Sequence, residues 1–129
     1  MEIDERLRRP ITSFRDLVVW QRAMDLAEES YRIAGLIPWA RGRNLRDQIQ
    51  RSGSSIPANI AEGNGRQRLG DYLRFLSIAN GSLMELQTHI ELGQRLGILK
   101  KSDVAQALDL CGDVSRLLRA LVRALEKRR

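Results

Sequence analysis

Three glycines and two arginines fall within eight residues at GNGRQRLG, from Gly63 to Gly70, and that composition is where phosphate-gripping chemistry would sit. Amides of a glycine-rich turn aim positive dipoles at an anion when a strand feeds the turn and a helix follows it. A dinucleotide fingerprint needs G-x-G-x-x-G, and here Gly63 and Gly65 are followed by Arg68 where the third glycine belongs. A P-loop needs G-x-x-x-x-G-K-S/T, and here Gly65 and Gly70 are followed by Asp71 and Tyr72. No strand precedes the stretch, because SSIPANIA carries a helical apolar period. The glycines are therefore predicted to form a helix C-cap at Gly63 and a turn between two helices.

Other constellations give no reaction either. A di-iron bundle needs two Glu-x-x-His motifs, whereas the chain has one histidine, His89, with Glu85 four residues before it. His89 reads as a hydrogen-bonded residue at the core edge rather than a metal ligand. Cys111 has apolar helical neighbours and no base near it in sequence, so it reads as a packed thiol that cannot form an internal disulfide. The reading is a protein with no enzymatic activity, no metal and no cofactor.

Positive charge is the remaining resource. The formal net charge is +6, and of 22 basic residues 19 are Arg, whose planar fork suits phosphate. Genomic base composition produces the same Arg-over-Lys bias. Arg41, Arg43, Arg46, Arg51, Arg66, Arg68 and Arg74 stand against only Asp47, Glu62 and Asp71. Arg116, Arg119, Arg123 and Lys127 recur at steps of three, four and four, a single stripe running into Arg128 and Arg129. The alternative reading of that stripe is a solvated face matched to a helix C-terminal dipole.

These residues need a frame, and 129 residues suffice for one domain with its own core. The chain is 43% hydrophobic and 29% charged, with three prolines and ten glycines, as a helical globular protein would be. MEIDERLRRP has no apolar core of a signal peptide, and no run reaches membrane-spanning length, so a cytoplasmic location is expected. Residues 1–13 read as a basic N-terminal arm, extended or poorly ordered, ahead of a bundle domain over residues 14–129.

Apolar residues at alternating steps of three and four predict four helices. The first stripe is Leu17, Trp20, Met24, Ala27, Tyr31 and Ala34, ending at Ile37 and Pro38; the second is Leu45, Ile49, Ser52, Ile56 and Ile60, with Asn44 as N-cap. The third is Tyr72, Leu76, Ala79, Leu83, Leu86, Ile90 and Gly93; the fourth follows Ser102 as cap, with Val104, Leu108, Cys111, Ser115, Leu118, Val122 and Leu125. Short connections imply an all-α, up-down-up-down antiparallel four-helix bundle.

Two features qualify that frame. Pro57 lies inside the second stripe, removes a bond to the Gly53 carbonyl and predicts a kink rather than an end, with neighbouring serines able to serve the freed carbonyl. Leu110, Val114, Leu117 and Leu121 form a second apolar row on the fourth helix, read as a subunit contact or as a deeper core position.

The stretches FRDLVVWQRAMDL, QIQRSGSSIPANIAEGNGR and RFLSIANGSLMEL resemble the four-helix bundle protein family, also called the 23S rRNA intervening-sequence protein family, from about Phe14 to the end of the chain. SIPANIAEGNGR is the most specific of these motifs. The resemblance implies an up-and-down bundle similar to known homopentamers, often with a basic surface and with a largely undefined role. A related branch, the accessory variability proteins of diversity-generating retroelements, partners a reverse transcriptase and binds nucleic acid. Trp20, Arg51, Pro57, Asn59, Glu62, Gly63, Arg66, Ser82 and Glu85 match positions of the family motif. Gln50 departs from a frequent Arg-Arg pair, and Arg68 stands where a Ser or Thr would cap the third helix, leaving that start to Gly70 and Asp71. Asn59, Glu62 and Arg66 share one helix face, as do Ser82 and Glu85, which suits bonds that fix a helix corner better than a ligand site.

Two functions from different classes fit. One is an oligomer, pentameric by resemblance, that binds RNA or DNA through backbone charge. The other is a scaffold that docks an acidic or nucleic-acid-associated protein. Few exposed aromatics are expected, which argues against recognition by base stacking.

Overall fold

The computed structural model describes residues 11–129, and among them every regular element is helical. A single 3-10 turn at Phe14–Asp16 leads into α1 (Val18–Leu36), α2 (Trp39–Asn64), α3 (Leu69–Arg95) and α4 (Lys101–Glu126). α2 packs against α1 and α3, and α4 packs against α3 and α1, so the four helices close a bundle in chain order. Most of the predicted N-terminal arm lies outside the described residues. At its end Thr12 and Ser13 both donate backbone N–H bonds to Asp16, which pins the entry to the 3-10 turn.

The core comes from one face of each helix. Leu45, Ile49, Ser52, Ile56 and Ile60 of α2 are all buried, as the predicted stripe requires. Leu76, Ala79, Leu83, Leu86, Ile90 and Gly93 of α3 are buried too, and Tyr72 is half-buried. On α1 the predicted stripe holds at Ala27 and Ala34 but is corrected elsewhere: Val19, Ala23, Leu26, Ser30 and Ile33 also point inward, whereas Met24 and Tyr31 are exposed. The reason is the close approach of α2. A Cβ on Gly53 would lie 2.5 Å from Ser30 Oγ and 3.9 Å from Ala27 Cα, so this seam admits only small residues. The Ser30 hydroxyl satisfies itself by donating to the Leu26 carbonyl at 2.8 Å.

Helix ends differ from the expected caps in four places. A first turn forms behind Pro38, whose carbonyl accepts from both Arg41 and Gly42 amides, and a kink at Gly42 sets it off from the rest of α2, so the long helical stretch starts beside Asn44, whose side chain makes no capping bond among the described residues. α2 runs past Gly63 to Asn64; Gly63 is buried, because a Cβ there would meet Phe75 Cβ at 2.9 Å. α3 begins at Leu69, with Arg68 as an N-cap that makes no side-chain bond. α4 is capped at Lys100 rather than Ser102, since Asp103 reaches back from the first turn to accept the Lys100 amide at 2.9 Å.

α2 continues through Pro57, and its one departure from helical dihedrals is Gly42, at φ −159° and ψ 40°. The serines beside Pro57 serve other carbonyls: Ser52 donates to Gln48, and Ser54 to Arg51. At the far end of α3, Gly97 takes φ +73°, and Ile98 donates to Gly93 while Gly97 donates to Gln94, a pattern that reverses the chain into α4.

The second apolar row of α4 is mostly internal. Leu110 and Val114 are buried and Leu117 and Leu121 half-buried, so the deeper-core reading holds for the first two. Exposed large apolar side chains lie elsewhere, at Met24 and Tyr31 of α1, Trp39 of α2, and Ile78, Met84 and Leu92 of α3.

Candidate nucleic-acid interface

Antiparallel packing sorts the arginines by bundle end. The stretch of α2 after the kink at Gly42 alone rises about 33 Å at 1.5 Å per residue, so Arg41, Arg43 and Arg46 at its start lie far from Arg66, Arg68 and Arg74. Arg51 is exposed on the helix between them. The linear basic stretch is thus two clusters. The second meets the C-terminal part of α4: Arg129 Nη2 lies 3.7 Å from the place of a Cβ on Gly70. Arg66, Arg68, Arg74, Arg119, Arg123 and Lys127 therefore gather, exposed, toward one end of the bundle with Arg128 and Arg129.

Their local partners are unequal. Arg66 pairs with Glu62 at 2.8 Å, and the guanidinium carbons of Arg66 and Arg74 each lie 4.7 Å from the centre of the Phe75 ring. These contacts orient both side chains without neutralising Arg74. Arg116 pairs with Asp113 one turn earlier. Arg119, Arg123 and Lys127 have no ion pair among the described residues, and Arg119 and Arg123 edge a groove of about 650 Å3 between α3 and α4. Leu73, Met84 and Val122 give that groove an apolar floor.

The motif residues are architectural in their geometry. Asn59 Nδ2 donates to the Ser55 carbonyl at 2.8 Å and to Ser55 Oγ at 2.9 Å, and Ser55 Oγ bonds Ser82 Oγ at 2.8 Å, which ties α2 to α3. Ser55, within the signature stretch but not singled out there, is the link between the two. Trp20 is half-buried with its ring 5.2 Å from Phe14, and Pro57 is buried. Glu62 pairs with Arg66, four residues on in the turn that follows α2, and among the described residues the side chain of Glu85 takes no bond across the corner. His89 Nδ1 donates to the Glu85 carbonyl at 2.7 Å.

A second polar tie was hidden from the apolar pattern. Glu29 is buried on α1, and Arg32 Nε lies 2.6 and 2.7 Å from its two oxygens while Arg32 Nη2 donates to the Asp103 carbonyl at 2.7 Å. The bond to Glu29 raises the Arg32 pKa above its ordinary value. An acidic and a basic residue three apart on α1 was the available signal.

The glycine-rich stretch takes the role of a corner. Gly63 lies within α2, Gly65 caps it in a right-handed helical conformation, and Gly70 lies in the first turn of α3. Among the described residues no group of three or more His, Cys, Asp or Glu is placed to hold a metal, and no helix is long and apolar enough to cross a membrane. Cys111 is buried, which pushes its thiol up to about 12.

Comparison with known proteins agrees with the bundle. A crystal structure of a protein of unknown function from the S23 ribosomal protein family of Bacteroides thetaiotaomicron VPI-5482 superposes with a TM-score of 0.74 at 23% identity, covering 81% of this chain and 98% of that one. No curated protein matches the chain. Residues 15–120 match the model of the 23S rRNA-intervening sequence protein family, and the chain belongs to that family.

Proposed function

We propose that this protein is a non-enzymatic, self-associating helical bundle that binds nucleic acid by backbone charge at the basic end formed by α2, α3 and α4. The observation that carries this reading is the convergence of Arg66, Arg68 and Arg74 with Arg119, Arg123 and Lys127, of which Arg119, Arg123 and Lys127 have no ion-pair partner among the described residues. Unneutralised guanidiniums in water attract a polyanion and release its counterions on contact. The family description names 23S rRNA, which puts RNA first among the probes. Self-association would use the outer face in the middle of α3, around the exposed Ile78, and repetition in a ring, five-fold by family resemblance, would multiply weak contacts.

The experiment is fluorescence anisotropy with RNA and DNA duplexes at low and moderate salt, alongside native mass spectrometry. Binding that is nearly independent of sequence, weakens with salt and disappears in Arg119→Glu/Arg123→Glu supports the reading. No binding at low salt overturns it. The second reading, a scaffold for an acidic amphipathic partner helix, draws on the apolar floor beneath Arg119 and Arg123, and is tested with acidic peptides in the same assay.

A further inference from the structure

At the opposite end of the bundle, the first turns of α2 and the last turns of α3 enclose a groove of about 670 Å3. Trp39 lines it and is 59% exposed, the most open of the large hydrophobic side chains among the described residues. Against the expectation of few exposed aromatics, Trp39 and Tyr31 are both exposed, and Trp39 is the one that lines this groove. Arg41 and Arg43 line the same groove, and the guanidinium carbons of Arg43 and Arg46 lie over the Trp39 ring, 5.5 and 5.9 Å from its centre, so a base stacks on the indole by taking the place of these weak, exposed cation–π contacts or beside them. Leu92 and Leu96 form an exposed apolar wall, 43% and 56% accessible. Among the described residues no Asp or Glu lines the groove.

We propose that this groove binds an unpaired nucleobase with its adjoining phosphates, Trp39 providing the stacking face and Arg41 and Arg43 the phosphate contacts. The proposal rests on the nucleic-acid reading but concerns a different end of the molecule and a different form of the ligand. An indole offers a flat apolar surface to any base, and arginines beside it neutralise the backbone that carries the base. A duplex cannot use the site in this way, because its bases are already stacked and paired. His89 adds an acceptor: its Nδ1 proton is committed to the Glu85 carbonyl, so in the neutral ring Nε2 presents a lone pair on the groove side of α3. Asn44 adds an amide that can donate or accept.

The charge of the groove decides against the two other occupants an open tryptophan attracts. A second copy docking by the same face would bring arginine against arginine with no carboxylate between them. A neutral apolar segment would leave Arg41 and Arg43 uncompensated beside it. An anionic ligand with a flat aromatic part satisfies both features at once.

The test uses the full chain, comparing wild type with Trp39→Phe and Trp39→Ala, since an exposed residue can be replaced without disturbing the core. The probes are a short oligothymidylate or oligouridylate, an abasic strand of the same length, a duplex, and an acidic peptide. Tryptophan emission and anisotropy are both followed. The single strand is expected to quench emission saturably, and the quenching is expected to vanish in both variants although Trp20 remains. Trp39→Ala is expected to weaken single-strand binding about tenfold or more while leaving duplex binding unchanged.

Duplex binding without Trp39 quenching by the single strand overturns this proposal and leaves the basic-end reading intact. No binding of either form at low salt overturns both. An abasic strand that binds as tightly as the oligonucleotide reduces the site to charge and overturns the stacking role, and equal or tighter quenching by the acidic peptide assigns the groove to a protein instead.

Discussion

The hydroxyl oxygens of Ser55 and Ser82 lie 2.8 Å apart, so a single hydrogen bond crosses from α2 to α3 among side chains withdrawn from water. Asn59 donates to Ser55 from one turn further along, which leaves the Ser55 proton free to be given to Ser82. Ser82→Ala is expected to cost about 1 kcal/mol in denaturant unfolding, as loss of a part-buried neutral hydrogen bond does. Ser55→Ala and Ser82→Ala together should cost less than the two separately, because they remove the same bond. Full additivity would show that the bond contributes nothing as a pair.

Two glycines make a matched contrast. A Cβ on Gly63 would sit 2.9 Å from Phe75 Cβ and 3.2 Å from the Tyr72 carbonyl oxygen, so Gly63→Ala must push α3 from α2 and is expected to cost about 1–3 kcal/mol. A Cβ on Gly81, exposed in the middle of α3, meets nothing within 4 Å. Gly81→Ala is expected to gain up to about 1 kcal/mol from helix propensity alone. Thermal unfolding of both variants checks the pair. A loss at Gly81 would instead mean that the outer face of α3 is covered in the assembled protein.

What the sequence revealed followed the size of the buried side chains. Ile49, Ile56 and Ile60 announced the inner face of α2, and Leu83, Leu86 and Ile90 that of α3, because bulky apolar residues recur there without rivals. On α1 the predicted stripe agrees with the structure at Ala27 and Ala34 and departs from it at Met24 and Tyr31, because the seam with α2 is built from small residues such as Ala23 and Ser30 while those larger side chains face outward. Caps were misread where the deciding group acts from a distance, as Asp103 does on Lys100. The basic stretch looked continuous because residues 41 to 74 are read in a line. Antiparallel order alone would have separated Arg43 from Arg74 and brought Arg74 toward Arg123. The Ser55–Ser82 bond and the Trp39 groove need side-chain coordinates.

Cys111 offers a probe of the closed core. Burial raises its thiol from an ordinary value of 9.0 to about 12, so near neutral pH the native protein carries no reactive thiolate. Iodoacetamide labelling is expected to be negligible in buffer and complete in denaturant, read by mass spectrometry. Above about pH 9 the unfolded thiol loses its proton while the folded one keeps it, so the contribution to stability present below pH 9 falls as pH rises toward 12, by about 1.4 kcal/mol per unit. Cys111→Ala should flatten that part of the pH profile. Rapid native labelling at neutral pH would show that α4 opens from the bundle.

The last prediction separates binding arginines from decorative ones. Arg119 and Arg123 have no ion-pair partner among the described residues, whereas Arg116 is held by Asp113. If Arg119 and Arg123 each neutralise one phosphate of duplex DNA, then Arg119→Gln and Arg123→Gln should each make the slope of log K against log salt shallower by about 0.9, and the double variant by about twice that. Arg116→Gln should change the slope less, since its charge is already shared with Asp113. Each variant should bind weaker to every duplex sequence by a similar factor, because phosphate contacts carry no base information. Both side chains are exposed and outside the core, so unfolding temperature should hardly move. Anisotropy titrations across a salt series, with thermal scans of the same samples, provide both readouts. Slopes that stay unchanged in the double variant would remove these two arginines from the interface and confine it to Arg66, Arg68 and Arg74.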